Sequence, residues 1–150
     1  FKQLLKSTLI PIRQILGFDN DEPLTAVHVR RGDYLSPINS KLFASIGEDY
    51  YQRGLDLIGH DHPILLFCND IPFAEYFSKR YGLTNVNQYN LNLYDEFSLF
   101  SSCTNFIIAN STFSWWASQL GCKDYSILVA PKQWYVNQPY PRLVARYTLL

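Results

Sequence analysis

The sequence has no methionine, no long apolar run and no excess of charge of either sign. Its 13 basic and 13 acidic residues give a formal net charge of zero, which argues against broad electrostatic binding to nucleic acid or to an acidic membrane. No apolar run approaches the roughly 20 residues that a membrane-spanning helix needs, and no signal peptide is recognisable. Any anion site in this protein is therefore expected to be local.

The missing methionine also bears on the extent of the chain, which begins at Phe1. A natural translation start is absent, so we expect a piece of a longer protein or a processed one. The 150 residues suit a single domain, and a hydrophobic content of 47% is enough for a substantial core. A membrane anchor elsewhere in a longer protein stays open.

Cysteine is scarce as well, with Cys68, Cys103 and Cys122 the three present. Their spacing does not suit a metal site, and an odd number cannot all pair. Because Cys68 and Cys103 lie in apolar runs, we interpret them as reduced core residues in a reducing compartment. This favours the bacterial cytoplasm or the periphery of the inner membrane, and the alternative is the Golgi lumen, reached through an anchor outside this sequence.

Three widespread motifs are missing too. No G-x-G-x-x-G follows a strand, which argues against dinucleotide oxidoreduction, and no P-loop is present for phosphoryl transfer. The nucleophile elbow G-x-S-x-G of many hydrolases is also absent. What remains is the binding of a nucleoside diphosphate or nucleotide sugar through arginine side chains, without an obvious metal.

The apolar pattern predicts an α/β fold, a Rossmann-like parallel sheet with helices on both faces. A leading helix and turn (1–24) precede a core (25–135) and a tail (136–150) that packs across the domain. A capping box, Ser45-x-x-Glu48, predicts the start of a helix that runs to about Ile58. Further helices are expected from Ile71 to Gly82, over Asn92–Cys103 and around Trp115 to Gly121. Strands are predicted at Thr25–Val29, Ile64–Phe67, Phe106–Ala109 and Ile127–Ala130, with a weak signal at Asn85–Tyr89.

Polar clusters follow several of these strands. Because ligands in such sheets lie outside the carboxyl ends of the strands, we expect these clusters to meet on one rim. They are Arg30–Asp33, Asn69–Asp70, Asn110–Ser114 and Lys132.

The stretch from Ala26 to Tyr34 is the most informative one. A buried strand runs directly into two arginines, a glycine and a carboxylate. Arginine donates two parallel hydrogen bonds to a phosphate and keeps its proton, and Gly32 permits an unusual turn. With only one acid nearby, one of Arg30 and Arg31 is expected to bind phosphate. The other, paired with Asp33, would only lock the turn.

The other clusters each have a functional and a structural interpretation. His28 is by default a satisfied core histidine, and the sharper alternative is a nucleobase or ribose contact. Asp70 suits either a base edge such as guanine or a plain helix cap. Ser111, Thr112 and Ser114 surround a helix start, where backbone N–H groups favour an anion and N-capping is the compatible alternative.

The blocks His28-Val29-Arg30-Arg31-Gly32-Asp33-Tyr34, Phe67-Cys68-Asn69-Asp70, Ile107 to Ala117 and Ala130-Pro131-Lys132-Gln133-Trp134 together resemble the α-1,2-fucosyltransferase family, glycosyltransferase family 11. The order and spacing of all four blocks match over about residues 25–135. The resemblance implies the C-terminal, donor-binding half of a GT-B glycosyltransferase. Such an enzyme transfers L-fucose from GDP-fucose to a galactose 2-hydroxyl of a glycan, with inversion and without an essential metal or other cofactor.

The resemblance also implies roles for single residues. Arg30 would hold the β-phosphate and stabilise the departing GDP, and Arg31 would support the loop. His28 and Asp70 would contact the guanosine. Asp33 is a candidate base by position, although fixing the arginine loop suits it better. The phosphate cradle would come from Asn110, Ser111, Thr112, Phe113 and Ser114.

Two departures from the family pattern stand out. Family members are about twice this length, so the N-terminal, acceptor-side domain is implied as a missing partner, beside GDP-fucose and a galactose-terminated glycan. The common W-W-A-A-W-L ending is Trp115-Trp116-Ala117-Ser118-Gln119-Leu120 here, without the third tryptophan. A different nucleotide sugar, or a module that binds the donor without catalysis, remain the alternatives.

Overall fold

The computed structural model describes residues 12–138 and 146–150. Within them, six strands form one sheet in the order β3-β2-β1-β4-β5-β6, and every neighbouring pair is parallel. The predicted parallel sheet is thus confirmed. The strands are β1 (Thr25–Val29), β2 (Ile64–Cys68), β3 (Thr84–Asn85), β4 (Asn105–Ile107), β5 (Leu128–Ala130) and β6 (Thr148–Leu149).

Helices connect the strands as the alternating pattern predicts. The α-helices are α1 (Glu48–Ile58), α2 (Ile71–Tyr81), α3 (Leu93–Ser101) and α4 (Thr112–Gly121). Short 3-10 helices cover Gly32–Leu35, Asn39–Lys41 and Val86–Tyr89. Residues 12–15 are helical, and the rest of the predicted leading helix lies outside the described residues. Within the described ranges, no helix is long and apolar enough to cross a membrane.

Two apolar layers cover the two faces of the sheet. Val27 and Val29 of β1 pack with Tyr51 and Leu55 of α1. Alternate residues of the same strand face the other way, where Ala26 belongs to a second cluster with α3 and α4. Side chains of a strand alternate between its faces, so a central strand with apolar residues on both sides needs helices on both sides. The fold is therefore the Rossmann-like α/β layer expected from the sequence.

The strand order has one reversal that matters for function. From β1 the chain builds outward through β2 to β3, and it then returns to the other side of β1 with β4, β5 and β6. At such a switch point the loops leaving the two central strands run in opposite directions and open a crevice at their carboxyl ends. The loop that begins at Arg30 and the segment from Ile108 to Ser111 border this crevice.

Local signals set most helix ends. The Asp70 carboxylate accepts a hydrogen bond from the Phe73 N–H at 3.1 Å, and Pro72 occupies the first turn of α2. Gly82 ends that helix in a left-handed conformation. Asn92 caps α3 through the Asp95 N–H at 3.0 Å. These caps agree with the positions that the sequence predicts.

The prediction of a capping box that starts at Ser45 is wrong. Gly47 precedes α1, no side chain caps that start, and Glu48 is the first helical residue. The cause is tertiary, because the Ala44 N–H donates to the Trp134 carbonyl at 3.1 Å and holds this segment against a distant loop. The Ser45 side chain therefore sits too far before the helix to cap it.

Two strand assignments also change. Residues 86–89 form a 3-10 helix instead of continuing β3, because the Asn85 side chain accepts from the Asn87 N–H at 3.1 Å and turns the chain. Part of the segment interpreted as a tail, Thr148–Leu149, is the edge strand β6. Leu150 donates its N–H to the Ala130 carbonyl at 3.1 Å, so main-chain pairing extends the sheet past residue 135.

Helices α3 and α4 approach closely at one point. Gly121 lies against the end of α3, and a Cβ atom at this position would stand 2.0 Å from the Ser101 carbonyl oxygen. Only a residue without a side chain fits there, so Gly121 sets the spacing of the two helices.

Candidate active site

The two arginines after β1 are held by different acids. Arg30 Nη2 lies 2.9 Å from the Asp33 carboxylate, and both side chains remain partly exposed. Arg31 Nε lies 3.3 Å from Asp70 Oδ2, at the end of the neighbouring strand. The Arg31 guanidinium also stacks over the Phe73 ring at 4.1 Å. The expectation that only one of the two arginines has an acidic partner is wrong, because the fold brings Asp70 from the end of β2 to Arg31.

The turn between the arginines and Asp33 depends on Gly32. This glycine has a φ of +37°, and a Cβ on it would meet Asn69 Nδ2 at 2.5 Å. Asn69 accepts from the Arg31 N–H at 2.9 Å and donates to Asp33 Oδ1 at 3.4 Å. Asn69 thus fastens the arginine loop to the end of β2. The sequence predicted that Asn69 lies on the rim, but it did not predict that Asn69 holds the arginine loop.

His28 faces the layer formed by α3 and α4. It is 5% exposed, and its ring lies 5.4 Å from that of Phe113. Burial, aided by the positive charge of Arg30, lowers its pKa to about 3. Among the described residues, its Nδ1 has no hydrogen-bond partner. The imidazole is therefore neutral at physiological pH, and its Nδ1 is buried away from solvent.

Because His28 is buried and neutral, the free energy of unfolding of this protein depends on pH. The unfolded chain takes up a proton near pH 6.5, whereas the folded one resists it down to a pKa of about 3. The stability that depends on a neutral His28 is fully present above pH 6.5, and it is lost as the pH falls toward the folded-state pKa. Between pH 7.5 and 5.0 the native protein is expected to lose about 2 kcal/mol more unfolding free energy than a His28→Asn variant. Urea unfolding at both pH values measures this, and equal losses would contradict it.

The first turn of α4 follows β4 at the same rim. No side chain caps its leading N–H groups, although Ser111 occupies the cap position. Ser114 is fully buried, and its hydroxyl lies 3.3 Å from the Ser111 carbonyl, within the turn. Thr112 is exposed and Phe113 partly so. Backbone N–H groups at a helix start attract anions, so this turn has the form of the predicted phosphate cradle, and the binding of phosphate there stays a prediction.

Asn110 acts as a clamp beneath the rim. It is buried, and its Nδ2 donates to the carbonyls of Ala44 and Trp134, each at 2.9 Å. Its own carbonyl accepts from the Tyr34 hydroxyl at 3.1 Å. The side-chain nitrogen is thus committed to main chain, and the buried Oδ1 has no partner in the described part of the chain. The predicted contact of Asn110 with the nucleotide sugar stays a prediction.

A cavity of about 140 Å³ opens between the arginine loop and residues 40–46. Arg30 and Arg31 line one side, and Tyr34 lines it with Phe43. The two aromatic rings stack at 4.2 Å. This pairing of cations with a flat aromatic wall suits an anionic ligand that carries a ring. The sequence analysis did not single out either aromatic residue.

Asp70 is fully engaged, with one oxygen on the Phe73 N–H and the other on Arg31. The helix-cap interpretation of Asp70 is therefore confirmed, and its contact with a nucleotide base stays a prediction. No group of three or more His, Cys, Asp or Glu side chains is placed to hold a metal ion within residues 12–138 and 146–150.

Comparison with known proteins identifies the family of the chain. The family model described as "Glycosyl transferase family 11" matches residues 8–145. The O-antigen biosynthesis glycosyltransferase WbnK of Escherichia coli is 34% identical over 126 residues, 79% of this chain and 41% of that protein. An alpha-1,2-colitosyltransferase of E. coli is 30% identical over 124 residues, 75% of this chain and 41% of that protein. The chain spans about two fifths of these relatives, and no solved structure matches it significantly.

Proposed function

We propose that this chain, which belongs to glycosyltransferase family 11, is the donor-binding half of a fucosyltransferase. The enzyme transfers L-fucose from GDP-fucose to a galactose 2-hydroxyl with inversion. An acceptor-side domain of the same protein, outside the present chain, provides the other wall of the cleft. The observation that carries the proposal is that Arg30 follows β1 at the β1/β4 switch point and lines a cavity there, while the uncapped start of α4 follows the neighbouring strand β4.

The chemistry needs positive charge where the leaving group departs. As the acceptor oxygen attacks the anomeric carbon, the bond from that carbon to the β-phosphate oxygen breaks and negative charge grows on GDP. A guanidinium and the N–H groups of a helix start, already oriented, stabilise this charge without rearranging. Arg30 supplies the first and the Ser111–Ser114 turn supplies the second. We therefore expect no requirement for a metal.

The acceptor hydroxyl must also lose its proton. Asp33 lies 2.9 Å from Arg30 and is bonded by Asn69, so its carboxylate is used to hold the arginine loop. Arg30 Nη2 lies 2.9 Å from Asp33 Oδ1 and 3.0 Å from Oδ2, so both carboxylate oxygens are occupied within the loop. The proposal therefore assigns the proton acceptor to the acceptor-side domain and keeps Asp33 as a positioning residue.

A second donor has support of its own. One relative is named for the transfer of colitose, and its match extends over 75% of this chain. The arginine loop and the α4 turn would hold the diphosphate of either donor, so they do not choose the sugar. GDP-colitose therefore belongs in the same test as GDP-fucose.

The test is thermal unfolding with GDP, GDP-fucose, GDP-colitose, UDP-galactose and ADP. A ligand at about 100 times its Kd stabilises by roughly 2.7 kcal/mol, which raises Tm by a few degrees for a domain of this size. We expect the increase with the three guanosine ligands and its loss in Arg30→Ala. Arg53→Ala is the matched control, because Arg53 forms a similar exposed pair with Asp49 at 3.4 Å on α1.

The outcomes separate the candidates. An increase with GDP-colitose that exceeds that with GDP-fucose would replace fucose as the donor sugar. Stabilisation by UDP-galactose or ADP alone would overturn the guanosine donor. If the guanosine ligands raised the Tm of Arg30→Ala as much as that of Arg53→Ala, Arg30 would not be the residue that binds the phosphate.

A further inference from the structure

The cavity beside the arginine loop has room for a single ring. Its volume of about 140 Å³ compares with about 150 Å³ for a protein cavity that holds one benzene molecule. A purine base joined to its ribose needs far more room than this. The cavity therefore suits one six-membered ring attached to a charged group, and Arg30 and Arg31 mark the side where the charge would lie.

One residue, Asn110, fixes both walls of this cavity. Its carbonyl accepts from the Tyr34 hydroxyl at 3.1 Å, on the side of the arginine loop. Its side-chain Nδ2 donates to the Ala44 carbonyl at 2.9 Å, on the side of residues 40–46. The rings of Tyr34 and Phe43 join the two walls by stacking at 4.2 Å. The cavity is thus held in shape by the chain itself, and a preformed site binds its ligand at lower entropic cost.

The lining away from the arginines offers both apolar and hydroxyl groups. Apolar surface comes from Leu35, Phe43 and Ile46, and hydroxyls come from the exposed residues Ser40 and Ser45. A hexose presents the same mixture, with C–H groups on some edges and hydroxyls on others. Small-molecule pockets combine apolar walls with a few polar groups that fix the orientation of the ligand. The lining therefore matches a sugar ring in chemistry as well as in size.

Leu35 is a large apolar residue of this lining that the fold does not use. Its side chain is 51% exposed and takes no part in either apolar layer of the described chain. Ile46, by contrast, packs against one of those layers, and Phe43 stacks on Tyr34. Leu35 therefore has apolar surface beside the arginines that an apolar group of a ligand can cover.

We propose that this cavity binds the sugar of the donor and that Leu35 contacts the methyl group on C5 of a 6-deoxyhexose. The inference rests on the proposed function, in which Arg30 holds the β-phosphate, because the sugar is joined directly to that phosphate. L-Fucose and colitose both carry this methyl group, so the inference does not depend on which of them is the donor sugar. The base of the nucleotide then lies outside the cavity.

The test compares GDP-L-fucose with GDP-L-galactose, whose sugar differs only by a hydroxyl on the methyl carbon, by titration calorimetry. The native protein is expected to bind GDP-L-fucose about tenfold more tightly, because an apolar pocket rejects an added hydroxyl by up to about a hundredfold. In Leu35→Asn, which has nearly the same shape, this preference falls below about threefold. GDP-colitose, which keeps the methyl group, loses affinity in Leu35→Asn by the same factor as GDP-L-fucose. The affinity for GDP, which has no sugar in the cavity, stays close to the native value.

Ile38→Asn is the matched control, because Ile38 is also an exposed apolar residue of this segment and lies outside the lining of the cavity. It is expected to retain the native preference for GDP-L-fucose. Since both side chains are exposed, neither substitution is expected to lower Tm by more than about 2 °C, which separates effects on binding from effects on folding.

The other outcomes each contradict a different part of the inference. Equal binding of the two GDP-sugars to the native protein, or a native preference in Leu35→Asn, would overturn the inference and leave the proposed function intact. An equal loss of affinity for GDP and GDP-L-fucose in Leu35→Asn would also overturn it, because the base would then occupy the cavity. Absence of binding of any guanosine ligand to the native protein would overturn the proposed function and this inference together.

Discussion

Replacing Gly121 with alanine is expected to lower the free energy of unfolding by about 4 kcal/mol. The new Cβ would lie 2.0 Å from the Ser101 carbonyl oxygen and 2.7 Å from its carbonyl carbon. Both atoms belong to the backbone at the end of α3, so no side-chain rotation can relieve the overlap. The helices have to separate, and the layer containing Leu99 and Ala117 loses its packing. Guanidinium unfolding followed by circular dichroism measures the loss.

The control for this substitution is Gly47→Ala. A Cβ on Gly47 would meet Asp49 Oδ1 at 2.6 Å, and this flexible, exposed side chain can turn away. We therefore expect a change below about 1 kcal/mol there. If Gly121→Ala also stayed below 1 kcal/mol, α3 and α4 would have to be further apart than the structure places them.

Gly32→Ala is expected to have the second largest effect, about 2–3 kcal/mol of stability together with at least a tenfold loss of GDP affinity. A side chain at φ +37° is strained, and its Cβ would press on Asn69 Nδ2 at 2.5 Å. The displaced Asn69 would release the Arg31 N–H and Asp33, and the arginine loop would lose its fixed geometry. Urea unfolding and calorimetric titration with GDP report the two losses separately.

Two controls divide the Gly32 effect into its causes. Gly82 also has a positive φ, +68°, and nothing lies within 4 Å of its would-be Cβ, so Gly82→Ala measures the backbone cost alone. In the double variant Gly32→Ala/Asn69→Ala the contact is removed, and the combined loss should be smaller than the sum of the single losses. Additive losses would show that Asn69 does not press on residue 32.

The parts of the fold that the sequence predicts well depend on neighbours in the chain. Strand β1 has the predicted bounds, Thr25–Val29, because its continuous apolar run is buried on both faces. Helix α2 begins at its Asp70 cap and ends at Gly82, both within a turn of the residues they satisfy. The polar clusters meet near one rim because parallel strands all end on the same side.

The errors come from contacts between distant residues. Ser45 carries a valid capping signal, but the bond from the Ala44 N–H to the Trp134 carbonyl overrides it. Strand β6 has no side-chain pattern, because two residues joined by main-chain bonds need none. In the site, the pairing of Arg31 with Asp70 spans 39 positions. Spacing along the chain does not encode these relations.

The Asn110 clamp has a consequence for how the loops around the site can diverge. Its amide holds the carbonyls of residues 44 and 134, and every amino acid has a carbonyl. The bond to residue 44 thus makes no demand on the side chain there, whereas Trp134 is also a buried member of the core. Residue 110 itself has no substitute of equal length and donor count. Mutations can therefore change the side chain of residue 44 while its main chain stays in place. A scaffold with such an anchor can change side chains around its ligand site while the main chain beneath the site keeps its position.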